Sequence, residues 1–121
     1  MAVRFYHLAV DAHDLPSLAR FWCRVMDWQV LFEDEGEIVI GADEFAMPGM
    51  CFLPVPEAKT VKNRLHIDLA PDDQAAEVER IIALGARRLD VGQGEDVTWV
   101  VLADPEGNEF CVLRPKNSLV D

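Results

Sequence analysis

An internal repeat is the feature of this sequence that most restricts its fold. The segment Tyr6–Asp11 resembles Leu65–Ala70, with His7 and His66 placed 59 residues apart, and a stretch of helical character that begins with an aspartate follows each segment. Self-similarity of this kind indicates a duplicated supersecondary unit. The copies are too few and the period is too long for a solenoid, so the sequence predicts two related modules.

The spacing of apolar residues predicts the same order of elements in both halves. In the first half, residues 3–11 alternate as a strand does, Asp14 caps a helix that runs to Met26, and three strands follow at 28–32, 37–40 and 49–53. The second half repeats this order, with a strand at 64–70, a helix at 73–84 that Gly85 ends, and strands at 87–91, 97–102 and 109–113. The predicted fold class is therefore α+β, with two βαβββ modules.

Length and composition agree with one compact domain. A chain of 121 residues, half of them hydrophobic, lies in the usual size range of a single domain with its own core. We predict one domain over residues 1–121, divided into module 1 (3–54), a linker (55–63), module 2 (64–114) and a tail (115–121). The loop Gly92–Gly94 is predicted to lie at the rim of a pocket.

Charge and cysteine content exclude several classes of partner. The formal net charge of −11 opposes binding to nucleic acid or to an anionic membrane surface. No apolar run approaches the roughly 20 residues that a membrane-spanning helix needs. Three cysteines without a Cys-x-x-Cys pair predict neither a disulfide framework nor a zinc knuckle. We expect reduced thiols and a cytoplasmic location.

Strand alternation collects the ionisable side chains on one face. In the predicted strand 64–70, Leu65, Ile67 and Leu69 should pack under the helix, which leaves Arg64, His66 and Asp68 on the other face. In the last strand, Glu109 and Cys111 share a face in the same way. A concave sheet would gather these groups into one central pocket on its helix-free side.

The paired modules, the histidine in the first strand of each, and the closing segment Asp104–Leu113 resemble the vicinal oxygen chelate superfamily. This superfamily includes glyoxalase I, extradiol dioxygenases, fosfomycin-resistance enzymes and bleomycin-binding proteins. The resemblance covers residues 3–114 and is strongest to the compact glyoxalase-like domains of bacteria. It implies a curved, incomplete eight-stranded, barrel-like sheet with a concave central pocket and with the helices outside.

The resemblance also implies a metal site. His7 and His66 match the two histidine positions of metal-using members, but Cys111 stands where the family places its glutamate, and Glu109 lies two residues earlier. We predict one divalent metal held by His7, His66 and Glu109, with Cys111 as the alternative ligand and with Glu109 as general base. Zinc, nickel, manganese and iron are the candidate metals. In the alternative without a metal, the histidines hydrogen-bond a ligand or an acid such as Asp68.

The remaining residues of the predicted pocket follow from the shared face and from the repeat. An offset of 59 residues places Met50 opposite Glu109 and Phe52 opposite Cys111, so the first module supplies no hard ligand there. The predicted substrate pocket contains Phe5, Met50, Phe52, Arg64, Asp68, Trp99 and Cys111.

Two functions remain open at this level. The first is a metal-dependent lyase or isomerase that acts on a small metabolite with adjacent oxygens or on a thiol conjugate. The alternative is a metal-free protein of the bleomycin-resistance type, which sequesters a drug-like or aromatic molecule by shape and stacking. In both cases the expected partner is a small molecule, and the resemblance and the exposed sheet edges imply a homodimer.

Overall fold

The computed structural model describes residues 2–90 and 97–121, and it divides the chain into two compact units. Unit 1 ends at Ala58 and unit 2 begins at Lys59, inside the predicted linker. The predicted end of a strand at Val91 and the loop Gly92–Gly94 lie outside the described residues.

Unit 1 contains one helix and a four-stranded sheet. Its elements are β1 (His7–Ala12), α1 (Leu15–Met26), β2 (Gln29–Glu33), β3 (Ile38–Gly41) and β4 (Gly49–Pro54). The strand order is β1-β4-β3-β2, in which β1 and β4 are parallel and the other pairs are antiparallel.

Unit 2 repeats this arrangement with shorter strands. Its elements are β5 (Asp68–Leu69), α2 (Gln74–Leu84), β6 (Arg87–Arg88), β7 (Val100–Ala103) and β8 (Glu109–Val112). The strand order is β5-β8-β7-β6, again with one parallel pair, β5 and β8. The α+β class and the duplication predicted from the sequence are therefore confirmed.

The helices begin and end where local chemistry places them. The Asp14 carboxylate accepts a hydrogen bond from the Ser17 N–H at the start of α1, and the Asp73 carboxylate does the same for Ala76 in α2. Each bond satisfies a backbone donor that would otherwise lack a partner. Gly85 ends α2 with a φ of 129°, a conformation that glycine adopts without steric cost.

Each helix buries one apolar side against its own sheet. The buried side of α1 packs on β3 and β4, and α2 contacts β8. Ile38, Ile40, Met50 and Phe52 form the buried face of sheet 1, where Ile38 pairs with Phe52 and Ile40 with Met50. The opposite face of that sheet holds the side chains of the intervening residues, including Val39 and Cys51.

The predicted strand 64–70 was too long. Only Asp68 and Leu69 are in β5, and Leu65, which was expected under the helix, is 79% exposed. The reason lies in the backbone hydrogen bonds, since the N–H of Asn63 donates to the Glu109 carboxylate and the first main-chain bond to β8 is made by the Ile67 carbonyl. Residues 64–66 therefore precede the ladder instead of forming part of it.

The turn between β7 and β8 is built around a buried carboxylate. Asp104 accepts hydrogen bonds from the N–H groups of Glu106 and Asn108 at 2.9 and 3.0 Å and from the Asn108 side-chain amide. Gly107 follows with a φ of 89°. The predicted Asp-Pro-Glu-Gly turn is thus held together by hydrogen bonds to one carboxylate, and these bonds fix where β8 begins.

Candidate metal centre in unit 2

Three side chains of unit 2 converge beside the parallel pair of β5 and β8. Asp68 lies directly opposite Cys111 in the ladder, so the two side chains emerge on the same face. His66 is two residues before Asp68, and its Nδ1 lies 3.0 Å from Asp68 Oδ1. We call these three residues the His66 cluster.

The His66 cluster contains one nitrogen, one oxygen and one sulfur donor, and these ligand atoms lie within 4.8 Å of one another. His66 and Asp68 are exposed, whereas Cys111 is buried. The cluster is thus anchored in the sheet at its sulfur end and accessible at its imidazole and carboxylate end.

The acid–base state of Cys111 follows from its surroundings. Burial raises the pKa of its thiol, and the charge of Asp68 and a hydrogen bond to that carboxylate raise the pKa further, while the charge of Lys62 lowers it by less. Without a bound metal, Cys111 is therefore a protonated thiol that hydrogen-bonds Asp68. A metal bound here would have to displace that proton, because the thiolate is the metal ligand.

The cluster has the donor chemistry of a divalent-metal site. Imidazole nitrogen, carboxylate oxygen and thiolate sulfur are all zinc ligands, and around a tetrahedral zinc they stand about 3.3–3.8 Å apart. His66 and Asp68 are exposed, so small side-chain rotations could bring the donors to that spacing. The residues present therefore fit a zinc-type ion that keeps open coordination positions.

Glu109 has a different environment from the one predicted. Its carboxylate lies 2.6 Å from the Lys59 ammonium, and both of its oxygens accept from the Asn63 N–H at 3.2 Å. Burial alone would raise the pKa of Glu109, but the hydrogen bonds from Lys59 and Asn63 and the lysine charge together hold the pKa below its ordinary value. Glu109 is an ionised carboxylate that already has partners.

The other predicted site residues are distributed over both units. In unit 1, His7 begins β1 half-buried. Its ring contacts that of Tyr6 in a tilted arrangement, with 4.6 Å between the ring centroids, while Phe5 is exposed. In unit 2, Arg64 is exposed, and so is Trp99, which directly precedes β7.

Met50 and Phe52 were placed in the pocket by the constant offset of 59 residues, and the strand register shows that this offset does not hold throughout. Cys51 pairs with Ala9 as Cys111 pairs with Asp68, so the offset is one residue larger in the last strand of each unit. The structural equivalent of Cys111 is therefore Cys51. A slip of one residue reverses the faces of a strand, which is why Met50 and Phe52 are core residues.

Sequence reasoning did not identify Asp68 as a ligand or Lys59 and Asn63 as partners of Glu109. A signal for Asp68 was present, because a His-x-Asp spacing on one strand places both side chains on one face. The contacts of Lys59 and Asn63 with Glu109 join residues 46 or more positions apart, and no local pattern specifies them.

Cys51 provides a comparison within unit 1. Its thiol donates to Glu37 Oε2 at 3.2 Å, and burial together with this carboxylate raises the pKa from 9.0 to about 11. His66 and Asp68 correspond to His7 and Ala9 in unit 1, so the carboxylate of the cluster has no equivalent there.

Because the thiolate is the reactive form, Cys51 is expected to react with iodoacetamide about 100-fold more slowly at pH 8 than a thiol of ordinary pKa. In a variant that retains only this cysteine, the logarithm of the rate should rise linearly from pH 7 to 10. A plateau near pH 9, measured by mass spectrometry, would show that the thiol pKa is not raised.

Unit 1 also contains a groove that the predicted site residues do not line. It is lined by apolar and acidic side chains together with His13 near the start of α1: Leu15, Pro16, Ile38, Pro54, Asp14, Glu33, Asp34 and Glu35. Two of these acids accept hydrogen bonds from nearby backbone N–H groups, Asp14 from Ser17 and Asp34 from Gly36 and Glu37. The groove lining does not include the predicted pocket residues.

A family model described as a glyoxalase-like domain matches residues 7–113. None of the curated proteins matches the sequence at a significant level. In residues 2–90 and 97–121, neither helix is long and apolar enough to cross a membrane.

Proteins with solved structures of similar fold are described as having different functions. A glyoxalase/bleomycin resistance protein/dioxygenase family enzyme from Burkholderia phytofirmans PsJN has a TM-score of 0.73 at 16% identity, covering 94% of this chain and 100% of its own. The trypanothione-dependent glyoxalase I of Leishmania major has a TM-score of 0.68 at 14% identity, covering 93% and 87%. The bleomycin resistance determinant encoded on transposon Tn5 has a TM-score of 0.61 at 16% identity, covering 95% and 100%. At these identities the likeness shows the fold alone.

Proposed function

The chain belongs to the glyoxalase-like domain family, and on that premise we propose that it is a divalent-metal-dependent lyase or isomerase. The proposed substrate is a small metabolite with adjacent oxygens or a thiol conjugate. The observation that carries the proposal is the His66 cluster, in which nitrogen, oxygen and sulfur donors lie within 4.8 Å of one another. A fold neighbour that is a glyoxalase I supports this class of chemistry.

In this proposal His66, Asp68 and Cys111 hold the metal. A divalent ion at this place supplies Lewis-acid stabilisation of negative charge that develops on substrate oxygens. Cys111 anchors the site from the sheet, and the exposed His66 and Asp68 leave one side of the site accessible to substrate. The role of His7 as a further ligand stays a prediction.

We propose a different role for Glu109 from the predicted roles of general base and metal ligand. Its carboxylate is engaged by Lys59 and Asn63, and the lowered pKa of Glu109 makes it a weak base near neutral pH. We assign it to holding the segment that leads to His66.

Zinc titration with a chromophoric competitor, supported by metal analysis, tests the site. We expect about one zinc per chain, and we expect His66→Ala, Asp68→Asn and Cys111→Ser each to weaken binding by at least about tenfold, because each removes one of few ligands. Cys51→Ser is the matched control, since it removes the equivalent cysteine of unit 1 and should leave affinity unchanged. His7→Ala tests whether His7 is a further ligand.

Two results would contradict the metal proposal. One is a wild-type protein that takes up no zinc, nickel, manganese or anaerobic iron. The other is binding that survives both His66→Ala and Cys111→Ser. If the metal is confirmed, thiol adducts of oxoaldehydes are the first substrates to assay, with the metal-free protein as blank.

One observation favours the second candidate function, a metal-free binding protein for an aromatic or drug-like molecule. The polar groups of the His66 cluster satisfy one another, because His66 and Cys111 both contact the Asp68 carboxylate. The bleomycin resistance determinant among the fold neighbours supports this alternative. Quenching of tryptophan fluorescence by planar ligands, in protein that binds no metal, would favour it.

The homodimer and the cytoplasmic location stay proposals. The edge strand β2 supports a partner chain, because its residues are exposed and include three apolar side chains, Val30, Leu31 and Phe32. An apolar sheet edge of this kind is usually covered in the native assembly.

A further inference from the structure

We propose that Glu109 is a positioning residue: with Lys59 and Asn63 it clips the segment 59–67 onto the start of β8 and thereby holds His66 where it can bind the metal. The link to the metal rests on the proposed function. The clip itself is a separate structural claim.

The contacts of the clip are short and sheltered. The Lys59 ammonium lies 2.6 Å from Glu109 Oε1, and these two side chains are only 19% and 10% exposed. The Asn63 N–H donates to both carboxylate oxygens of Glu109 at 3.2 Å. Charge-assisted hydrogen bonds of this kind are stronger than neutral ones, so they can hold an irregular segment in place.

The clip is also joined to the hydrogen-bonded turn between β7 and β8. The Asn63 side-chain amide donates to Asn108 Oδ1 at 3.2 Å, and Asn108 is in turn bound through its backbone and side-chain N–H groups to the buried Asp104. The segment is therefore fastened both to the first residue of β8 and to the turn before it.

His66 lies between two fixed points. Before it, Asn63 is held by Glu109, and after it, the Ile67 carbonyl accepts from the Cys111 N–H at 2.9 Å. The residues between these points are exposed and lie outside the ladder. Without the first point, the segment would be attached on one side only, and His66 would sample more positions relative to Cys111.

Glu109 and Cys111 lie on the same face of one strand, two residues apart. Glu109 fastens the segment that carries the imidazole, and Cys111 supplies the sulfur ligand. A residue that orients a ligand in this way typically changes metal affinity by about 10–100-fold when it is replaced.

The experiment compares Glu109→Gln and Lys59→Met with Lys59→Arg, which keeps the ion pair, and with Lys116→Met, which removes a lysine charge elsewhere in unit 2. Circular dichroism first establishes that each variant is folded. The first readout is trypsin cleavage after Lys62 and Arg64 in metal-free protein. We expect cleavage at least about fivefold faster than in the wild type for Glu109→Gln and Lys59→Met, and near the wild-type rate for the other two.

The second readout is cobalt binding followed by its visible and thiolate charge-transfer absorption. Glu109→Gln and Lys59→Met should raise the cobalt dissociation constant about tenfold or more, and Lys59→Arg should restore it to near the wild-type value. Unchanged trypsin rates overturn the clip, and faster cleavage with unchanged cobalt affinity overturns the positioning role. A wild type that binds neither cobalt nor any of zinc, nickel, manganese and iron overturns the proposed function together with the metal link, whereas the trypsin rates still decide the clip.

Discussion

Replacing Phe52 by alanine is expected to lower the free energy of unfolding by about 3–5 kcal/mol, because it leaves a cavity in the core of unit 1. Phe52 is 0% exposed, and it pairs with Val10 on one side and Ile38 on the other. Urea unfolding followed by circular dichroism measures the change. Phe52→Leu, which keeps most of the volume, should cost about 1–1.5 kcal/mol.

Phe45→Ala is the matched control for this prediction. Phe45 is in the same unit and is 82% exposed, so its removal should change the unfolding free energy by less than about 0.5 kcal/mol. If Phe52→Ala were as mild as Phe45→Ala, Phe52 would not be a core residue, and its predicted place in a ligand pocket would regain support.

Replacing Asp104 by alanine is expected to destabilise unit 2 by about 3 kcal/mol. The carboxylate is buried, and its loss leaves the N–H groups of Glu106 and Asn108 and the Asn108 amide without their acceptor. An unsatisfied buried donor costs about 1–3 kcal/mol. The stability of Asp104→Asn should fall between that of Asp104→Ala and that of the wild type. The oxygen of the new amide can still accept a hydrogen bond from the backbone, but its NH2 group cannot accept one.

The same urea experiment measures this change, with Glu79→Gln as control. Glu79 is an exposed helix residue, and its replacement removes one negative charge without removing a turn. A loss of stability that is equal for Asp104→Ala and Glu79→Gln would mean that the buried carboxylate does not organise the turn. The comparison also bears on the clip, because Asn63 is bound to Asn108 in that turn.

Most of the fold was predictable because its signals are local. The caps Asp14 and Asp73, the helix-ending Gly85 and the turn at Asp104 each act on neighbours within a few residues, so their effect can be read from short segments. The duplication added the order of the elements, since each copy repeats the other.

The strand register was the first feature that the sequence did not determine. The repeat predicts an offset of 59 residues, but a single added residue before the last strand places Cys51, not Phe52, in the position of Cys111. Side chains alternate with a period of two along a strand, so this slip exchanged the face that packs under the helix for the opposite face. A core residue was thereby predicted to line a pocket.

The candidate site contains residues that the sequence had named in other roles. His66 was a predicted ligand, Cys111 the alternative ligand, and Asp68 a pocket residue and a possible hydrogen-bond partner of the histidines. The engagement of Glu109 could not be predicted, because Lys59 and Asn63 are distant in sequence and their approach depends on where the segment after Ala58 lies.

The sequence by itself therefore determined the α+β class, the two βαβββ units, the helix boundaries and the family resemblance, since all of these depend on periodicity and on short-range hydrogen bonds. Only the tertiary structure decided which acid stands beside His66 and which is bound elsewhere. Asp68 meets Cys111 because two parallel strands pair in one register, and Glu109 is held by a lysine because an irregular segment folds back onto β8. Pairings between distant segments depend on the packing of the whole unit, which no local pattern encodes.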